Sequence, residues 1–140
     1  MQDIKNKNIV KAAFAKLKSQ LSEFPNRVGD HLYLVQIYPM KERFDPKVDK
    51  FISLVGYEIL DEENRPPNTV VHIVPENFYA FYSFKDIEAN IQLAYDYLYG
   101  HWLQEQGYDS LGYDLELWDE RYKPEESANE IDMFIAIKKQ

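Results

Sequence analysis

Between Ile9 and Phe24 the apolar residues Val10, Ala13, Phe14, Leu17, Leu21 and Phe24 recur at three- and four-residue steps, with Lys11, Lys16, Lys18 and Gln20 between them. This spacing predicts an amphipathic helix, and Pro25 marks its end. After the turn Pro25-Asn-Arg-Val-Gly-Asp30, the runs His31 to Pro39 and Phe51 to Leu60 are rich in β-branched and aromatic residues. They predict two strands joined by a polar loop that carries Asp45-Pro46. The stretch Asp61 to Asn68 has no periodicity and two adjacent prolines, so it reads as a loop between two halves.

Strand character resumes at Thr69 to Val74, breaks at Pro75-Glu-Asn77, and continues from Phe78 to Phe84. In this last strand Tyr79 and Phe81 point opposite to Phe78, Ala80 and Tyr82. From Asp86 the period returns to that of a helix, with Ile87, Ile91, Ala94, Tyr95, Leu98 and Trp102 on one face and Gly107 as the stop. Two strands close the chain, one within Tyr113 to Tyr122 and one from Ile131 to Ile137.

The expected order is helix, four strands, helix, two strands, in one domain of 140 residues. Each half, roughly residues 1–62 and 67–140, is a helix followed by two strands. Short connections favour an antiparallel sheet, and two helices can cover only one of its faces, so the fold class is α+β. The other face is left to water, a partner or a ligand.

Candidate chemistry gathers in the last two strands. Alternation puts Leu115 and Leu117 on one face and Glu116 and Trp118 on the other, and the leucines suit the side covered by helices. In the next strand Ile131, Met133, Ile135 and Ile137 form an apolar row, with Asp132, Phe134 and Ala136 opposite. Each strand thus offers an acid and an aromatic residue on one face, Glu116 with Trp118 and Asp132 with Phe134. Such pairs suit an organic cation, because rings supply cation–π attraction and a carboxylate neutralises the charge. In a dry site the carboxylate pKa would rise by up to roughly 3 to 5 pH units, and an arriving cation would release protons. The same spacing equally describes two acids on a wet sheet face, with Trp118 and Phe134 as surface cross-strand partners.

Composition narrows the alternatives. The net charge of −8 argues against direct nucleic-acid contact, and the locally basic stretch Lys5 to Lys18 reads as a solvated helix face. There is no cysteine, and the three histidines, His31, His72 and His101, form no ligand-spaced pair, so neither a metal nor another cofactor is expected. No apolar run approaches the ~20 residues of a membrane span and no signal peptide is visible, so a cytoplasmic protein without membrane contact is expected. No serine lies in a nucleophile elbow and no glycine-rich phosphate loop is present. Acid/base hydrolysis by Glu116 with Asp132 is the one enzyme chemistry these residues invite. Eleven tyrosines give more aromatic surface than two helices on a small sheet obviously require, and Tyr33, Tyr57, Tyr79, Tyr95, Tyr99 and Trp102 all fall on expected elements.

Several segments, in this order and spacing, carry a family likeness. They are Ile37-Tyr38 with Asp45-Pro46, Val55-Gly-Tyr-Glu58, Val74-Pro-Glu-Asn-Phe-Tyr-Ala-Phe81, Tyr97-Leu-Tyr-Gly-His-Trp-Leu103 with Gly107-Tyr108, Leu115-Glu-Leu-Trp-Asp-Glu-Arg-Tyr122 and Glu130-Ile-Asp-Met-Phe-Ile-Ala-Ile137. The chain resembles the GyrI-like effector-binding domain superfamily, the ligand-sensing module of multidrug-responsive transcription regulators, and within it the free-standing branch of integron-cassette effector-binding proteins. The resemblance implies two pseudo-symmetric halves in one antiparallel sheet, helices on one side and a ligand cleft on the other. It implies that Glu116 is the pocket glutamate that meets cationic, lipophilic drugs, that Trp118 lines the pocket, and that Asp132 and Phe134 face the same cleft.

Two departures stand out. Ala136 occupies a position where proline is common, and Met1 to Asn8 is too short and charged to supply the strand that normally precedes the first helix. A missing strand would expose a sheet edge through which two copies can pair. The leading expectation is a binding module for aromatic, cationic small molecules without its own DNA-binding domain, with Glu116 as counter-ion and Trp118, Phe134, Tyr33 and Trp102 as cage walls. The alternatives are a hydrolase of cyclopropane-containing drugs, as some GyrI-like proteins are, and a protein-binding regulator such as a gyrase inhibitor.

Overall fold

The computed structural model describes residues 2–39, 51–60 and 66–140. The loop carrying Asp45-Pro46 and the first part of the Asp61 to Asn68 loop lie outside these residues. Helix α1 spans Gln2–Ser19, starting earlier than the apolar spacing alone suggests, and a 3-10 turn, Leu21–Glu23, carries the chain to Phe24. Strands β1 (Leu32–Ile37) and β2 (Ile52–Gly56) follow, then β3 (Phe78–Lys85). The second helix is entered through the 3-10 turn Glu88–Asn90. It runs as α2 (Ile91–Tyr97), a π-helical segment (Leu98–Trp102) and α3 (Leu103–Gln106) without a break in the chain. The last strands are β4 (Tyr108–Trp118) and β5 (Glu130–Lys139).

All five strands form one antiparallel sheet in the order β2-β1-β4-β5-β3, with both helices on one face. The sheet does not close into a barrel: β2 and β3 are its two edges among the described residues. The fold is therefore α+β. Strands β1 and β4 pair at the centre, so the two helix–strand–strand units meet along the line Leu32–Trp118 to Ile37–Tyr113.

Gly107 ends the second helix as its position predicts. It is left-handed (φ 76°), and its N–H closes onto the carbonyl of Gln104 at 3.2 Å. A β-carbon there would meet nothing within 4 Å, so the requirement for glycine is conformational rather than steric. Gly107→Ala should cost about 1 kcal/mol in urea denaturation, the penalty of placing an L-residue in this region.

Two expectations are corrected. Thr69 to Val74 has strand composition but forms no strand: Val70 is 76% and Ile73 78% exposed. Propensity alone does not make a strand where no neighbouring backbone supplies a ladder. The second correction concerns the faces of β4. Leu115 and Leu117 stand opposite Phe134 and Asp132, away from the helices, whereas Glu116 stands opposite Met133. The helix-covered core contains Leu34, Ala80, Phe84, Ile91, Leu98, Leu103, Trp118, Ile131, Met133, Ile135 and Ile137. Glu116 and Trp118 therefore lie beneath the helices, on the face where the leucines were expected.

Candidate functional site between the helices and the central strands

Along the helix-covered face of β4, Asp114, Glu116 and Trp118 follow one another at alternate positions. Asp114 is 1% and Glu116 5% exposed. Buried acids at these positions need hydrogen-bond donors, since an unsatisfied ionised group in the interior is strongly unfavourable. Tyrosines of the second helix supply several of them. Tyr95 donates to Glu116 Oε2, and Tyr99 donates to Asp114 Oδ2 at 2.6 Å. The two rings are stacked, with centroids 6.4 Å apart and planes 17° from parallel.

The match between helix and strand is geometric. Four residues of helix rise about 6 Å and two residues of strand about 6.6 Å, so Tyr95 and Tyr99 come into step with Glu116 and Asp114. The π-helical segment begins at Leu98, between Tyr95 and Tyr99, and carries Tyr99; such insertions frequently accompany functional sites.

The central neighbour strand completes the network. Gln36 of β1 stands opposite Asp114; its side-chain amide donates to Asp114 Oδ1 at 3.0 Å and to the Tyr95 hydroxyl at 2.9 Å. Tyr38, just beyond β1, donates to Asp114 Oδ2 at 2.8 Å. The Trp118 indole donates to Glu116 Oε1 at 2.9 Å. One continuous chain of hydrogen bonds thus links Trp118, Glu116, Tyr95, Gln36 and Asp114. Burial pushes the Asp114 carboxyl up to about 7, against the lowering effect of its tyrosine and glutamine donors, and the nearby Glu116 adds to the rise. Burial also raises Tyr95 and Tyr99 well above the usual tyrosine value, and the adjacent carboxylates add to it, so both hydroxyls stay protonated as donors.

At the other end the network reaches helix α1. Trp118 stacks flat on Tyr122 (4.8 Å, 1°) and receives the edge of Phe14 at 4.9 Å. Tyr122 donates to Glu88 Oε2 at 2.6 Å, and Lys11 of α1 pairs with Glu88 Oε1 at 3.0 Å. A cleft of about 190 Å³ opens beside that ion pair, lined by Lys11, Ile87, Glu88, Ala89, Pro124 and Glu125.

Of the residues singled out from sequence, Glu116 and Trp118 are in direct contact. The others are not brought to them. Asp132 and Phe134 sit on the opposite face, where Asp132 is paired with Arg121 at 2.7 Å and accepts from Ser83 at 3.1 Å, and Phe134 packs on Phe81 at 5.3 Å. Tyr33 is on that face too, opposite Leu117 and against His31. Trp102 lies at the end of the π-helical segment and stacks on Tyr108 at 6.2 Å. Because Glu116 and Asp132 are on opposite faces, they cannot act together on one substrate, and the acid/base hydrolysis expected of that pair has no geometry. Sequence reading passed over Asp114, Gln36 and Tyr38. Asp114 was in principle accessible, since it shares the alternation of Glu116 and Trp118.

Among the described residues no helix is long and apolar enough to cross a membrane, and no cluster of His, Asp and Glu is arranged to hold a metal ion. The family match makes this fold, two helices on one face of an antiparallel sheet, a small-molecule-binding domain of the GyrI-like superfamily. Within it, the sequence model of Cass2, integron-associated effector binding protein, matches residues 1–137, and the chain belongs to that family. A search of curated proteins finds no match.

Proposed function

We propose that the protein binds aromatic, cationic small molecules between its helices and its central strands, with Glu116 as the counter-ion. The observation that carries this reading is the position of Glu116: buried at the centre of the sheet, and hydrogen-bonded by the aromatic side chains Tyr95 and Trp118. Both are neutral donors carried on aromatic side chains. A ligand cation can take over their role, gaining cation–π attraction from the same rings. The 190 Å³ cleft beside Lys11–Glu88 is the proposed way in, because that ion pair joins α1 to the start of the second helix near Trp118. Lys11 is half exposed, and Glu88, which is largely buried, also accepts a hydrogen bond from Tyr122.

Fluorescence titration of a triarylmethane cation dye tests this. Glu116→Gln keeps the shape and removes the charge, and should weaken binding at least tenfold, about 1.4 kcal/mol or more. Equal affinity of the wild type and the variant would refute the counter-ion role.

A further inference from the structure

Strand β3 has a strand neighbour on one side only among the described residues. Asp86 continues the β3–β5 register opposite Asn129, and its N–H donates to the Asn129 carbonyl at 3.1 Å. Backbone groups alternate along an antiparallel pair, so Phe84, Tyr82, Ala80 and Phe78 turn their N–H and C=O inward to β5. Those of Tyr79, Phe81, Ser83 and Lys85 therefore point outward from the sheet. Edges of this kind are normally blunted by charge, proline or a bulge. The β3 edge has eight residues with Lys85 as their one charge, no proline and no register shift, and it leaves Phe78 83%, Phe81 59% and Tyr82 43% exposed. We propose that β3 pairs antiparallel with the same strand of a second copy of this chain, joining two sheets into one across a two-fold axis at Ala80.

A second copy fits this edge because the edge is complementary to itself. Residues opposed across a two-fold antiparallel pair share a face, so only alignments that match even positions with even and odd with odd are allowed. With Ala80 opposite its own counterpart, Phe78 meets Tyr82 of the partner subunit and Tyr79 meets Phe81 of the partner subunit. Every exposed ring of the strand then gains a ring on its own face, Phe78 and Tyr82 on the helix side and Phe81 on the other. The outward backbone groups of Tyr79 and Phe81 also fall opposite each other, as a hydrogen-bonded pair requires. Charge agrees, because Glu76, exposed just before the strand, comes beside the end that carries the 68% exposed Lys85 side chain. The segment entering β3 leaves the edge clear: Asn77 donates to the Tyr113 hydroxyl and Pro75 accepts from the Tyr79 hydroxyl, both at 2.7 Å, which draws it beneath the sheet. The opposite edge, β2, has five residues and no aromatic side chain. Rings and backbone together bury on the order of 1,000 Å², the lower bound of a specific interface, so the dimer is a weak one with a Kd of roughly 1 to 100 µM. The contact uses the same edge in both copies, and assembly stops at two.

Sedimentation velocity of the full chain from about 1 to about 500 µM tests this. The wild type should pass from monomer to dimer over that range, with no larger species. Phe78→Lys and Phe81→Lys put a charge on the edge at exposed positions and should weaken dimerisation at least tenfold, roughly one decade in Kd. Leu93→Lys, at a 68% exposed position on the second helix, should leave it unchanged. A wild type that stays monomeric throughout, its β3 edge then being free for some other chain, would overturn the proposal. So would a dimer indifferent to both edge variants, or one lost equally in Leu93→Lys. The alignment is read by oxidation, since the chain has no cysteine of its own. Phe78→Cys mixed with Tyr82→Cys should give a disulfide-linked dimer faster than either variant alone, because such non-hydrogen-bonded pairs hold their α-carbons about 4.5 Å apart. No advantage for the mixture would overturn the pairing about Ala80. The wild-type sedimentation needs no variant, so the proposal stays falsifiable even if a lysine variant folds poorly.

Discussion

Asp114→Asn is expected to make the protein more stable at pH 8 and less stable near pH 4, where only the lost hydrogen-bond acceptor counts. The carboxyl of Asp114 is raised from 3.8 to about 7 by burial, so between these values the folded state holds a proton that the unfolded chain has lost. Stability contributed by this group is therefore complete below about pH 3.8 and declines as pH rises, levelling off above about 7. At 1.36 kcal/mol per pH unit, the displacement sets an upper limit of about 4 kcal/mol on what the ionised carboxylate costs at pH 8. Asparagine keeps one oxygen acceptor for Tyr38 and Tyr99 but loses the other, which offsets about 1 to 3 kcal/mol. A net gain of about 1 to 3 kcal/mol at pH 8 should remain.

The difference between variant and wild type, taken from urea melts across pH 4 to 9, isolates this group from the other acids. Asp86, lowered mainly by its hydrogen bond from Asn90, and Asp119, lowered by Arg121 despite its burial, act in the opposite direction in both proteins. A difference that does not grow with pH would contradict the assignment of a raised carboxyl. A buried acid kept at the expense of stability is what a binding role leads one to expect.

The second large effect concerns Trp118. Trp118→Ala should lower stability by about 3 to 5 kcal/mol, the range for deleting a large aromatic side chain from a core. Its ring is 3% exposed and joins elements far apart in the chain, stacking on Tyr122 and meeting the edge of Phe14 in α1. Trp118→Phe keeps the ring contacts but removes the indole donor to Glu116, and should lose about 1 to 3 kcal/mol. Far-UV circular dichroism in urea measures both. A loss under 1 kcal/mol in the alanine variant would mean that α1 is not anchored to the sheet through this residue.

Much of the fold could be read from apolar spacing. Both helices, the Gly107 stop, and the strands at Leu32–Ile37, Ile52–Gly56, Phe78–Lys85 and Glu130–Lys139 follow local patterns of three to four or two residues. Such patterns depend on each residue's immediate neighbours, so one sequence suffices to see them. The pairing of Glu116 with Trp118 was legible for the same reason, because alternate residues of a strand share a face.

What the sequence could not supply was how one strand's faces align with the next. Asp132 and Phe134 alternate as Glu116 and Trp118 do, yet they end on the opposite side, because Glu116 falls opposite Met133. That register is set across the connection 119–129 and holds as far as Asp114; the irregularity between Ser110 and Asp114, where Gly112 takes φ 96°, shifts only the pairing beyond it. A shift of one residue reverses every side chain, and no local pattern records it. Apolar content misled as well: the leucines of β4 look like the helix-covered row, but the acids can occupy that side because Tyr95, Tyr99, Tyr38, Gln36 and Trp118 supply donors from three separate parts of the chain.

By itself, then, the sequence determined most of the elements, the α+β class, the family likeness and that Glu116 and Trp118 share a face. Only the tertiary structure decided that this pair lies beneath the helices, that Asp114 joins it and that Asp132 does not. The physical reason is range: helices and strands follow from contacts a few residues apart, whereas a buried acid is tolerated only where distant donors converge on it.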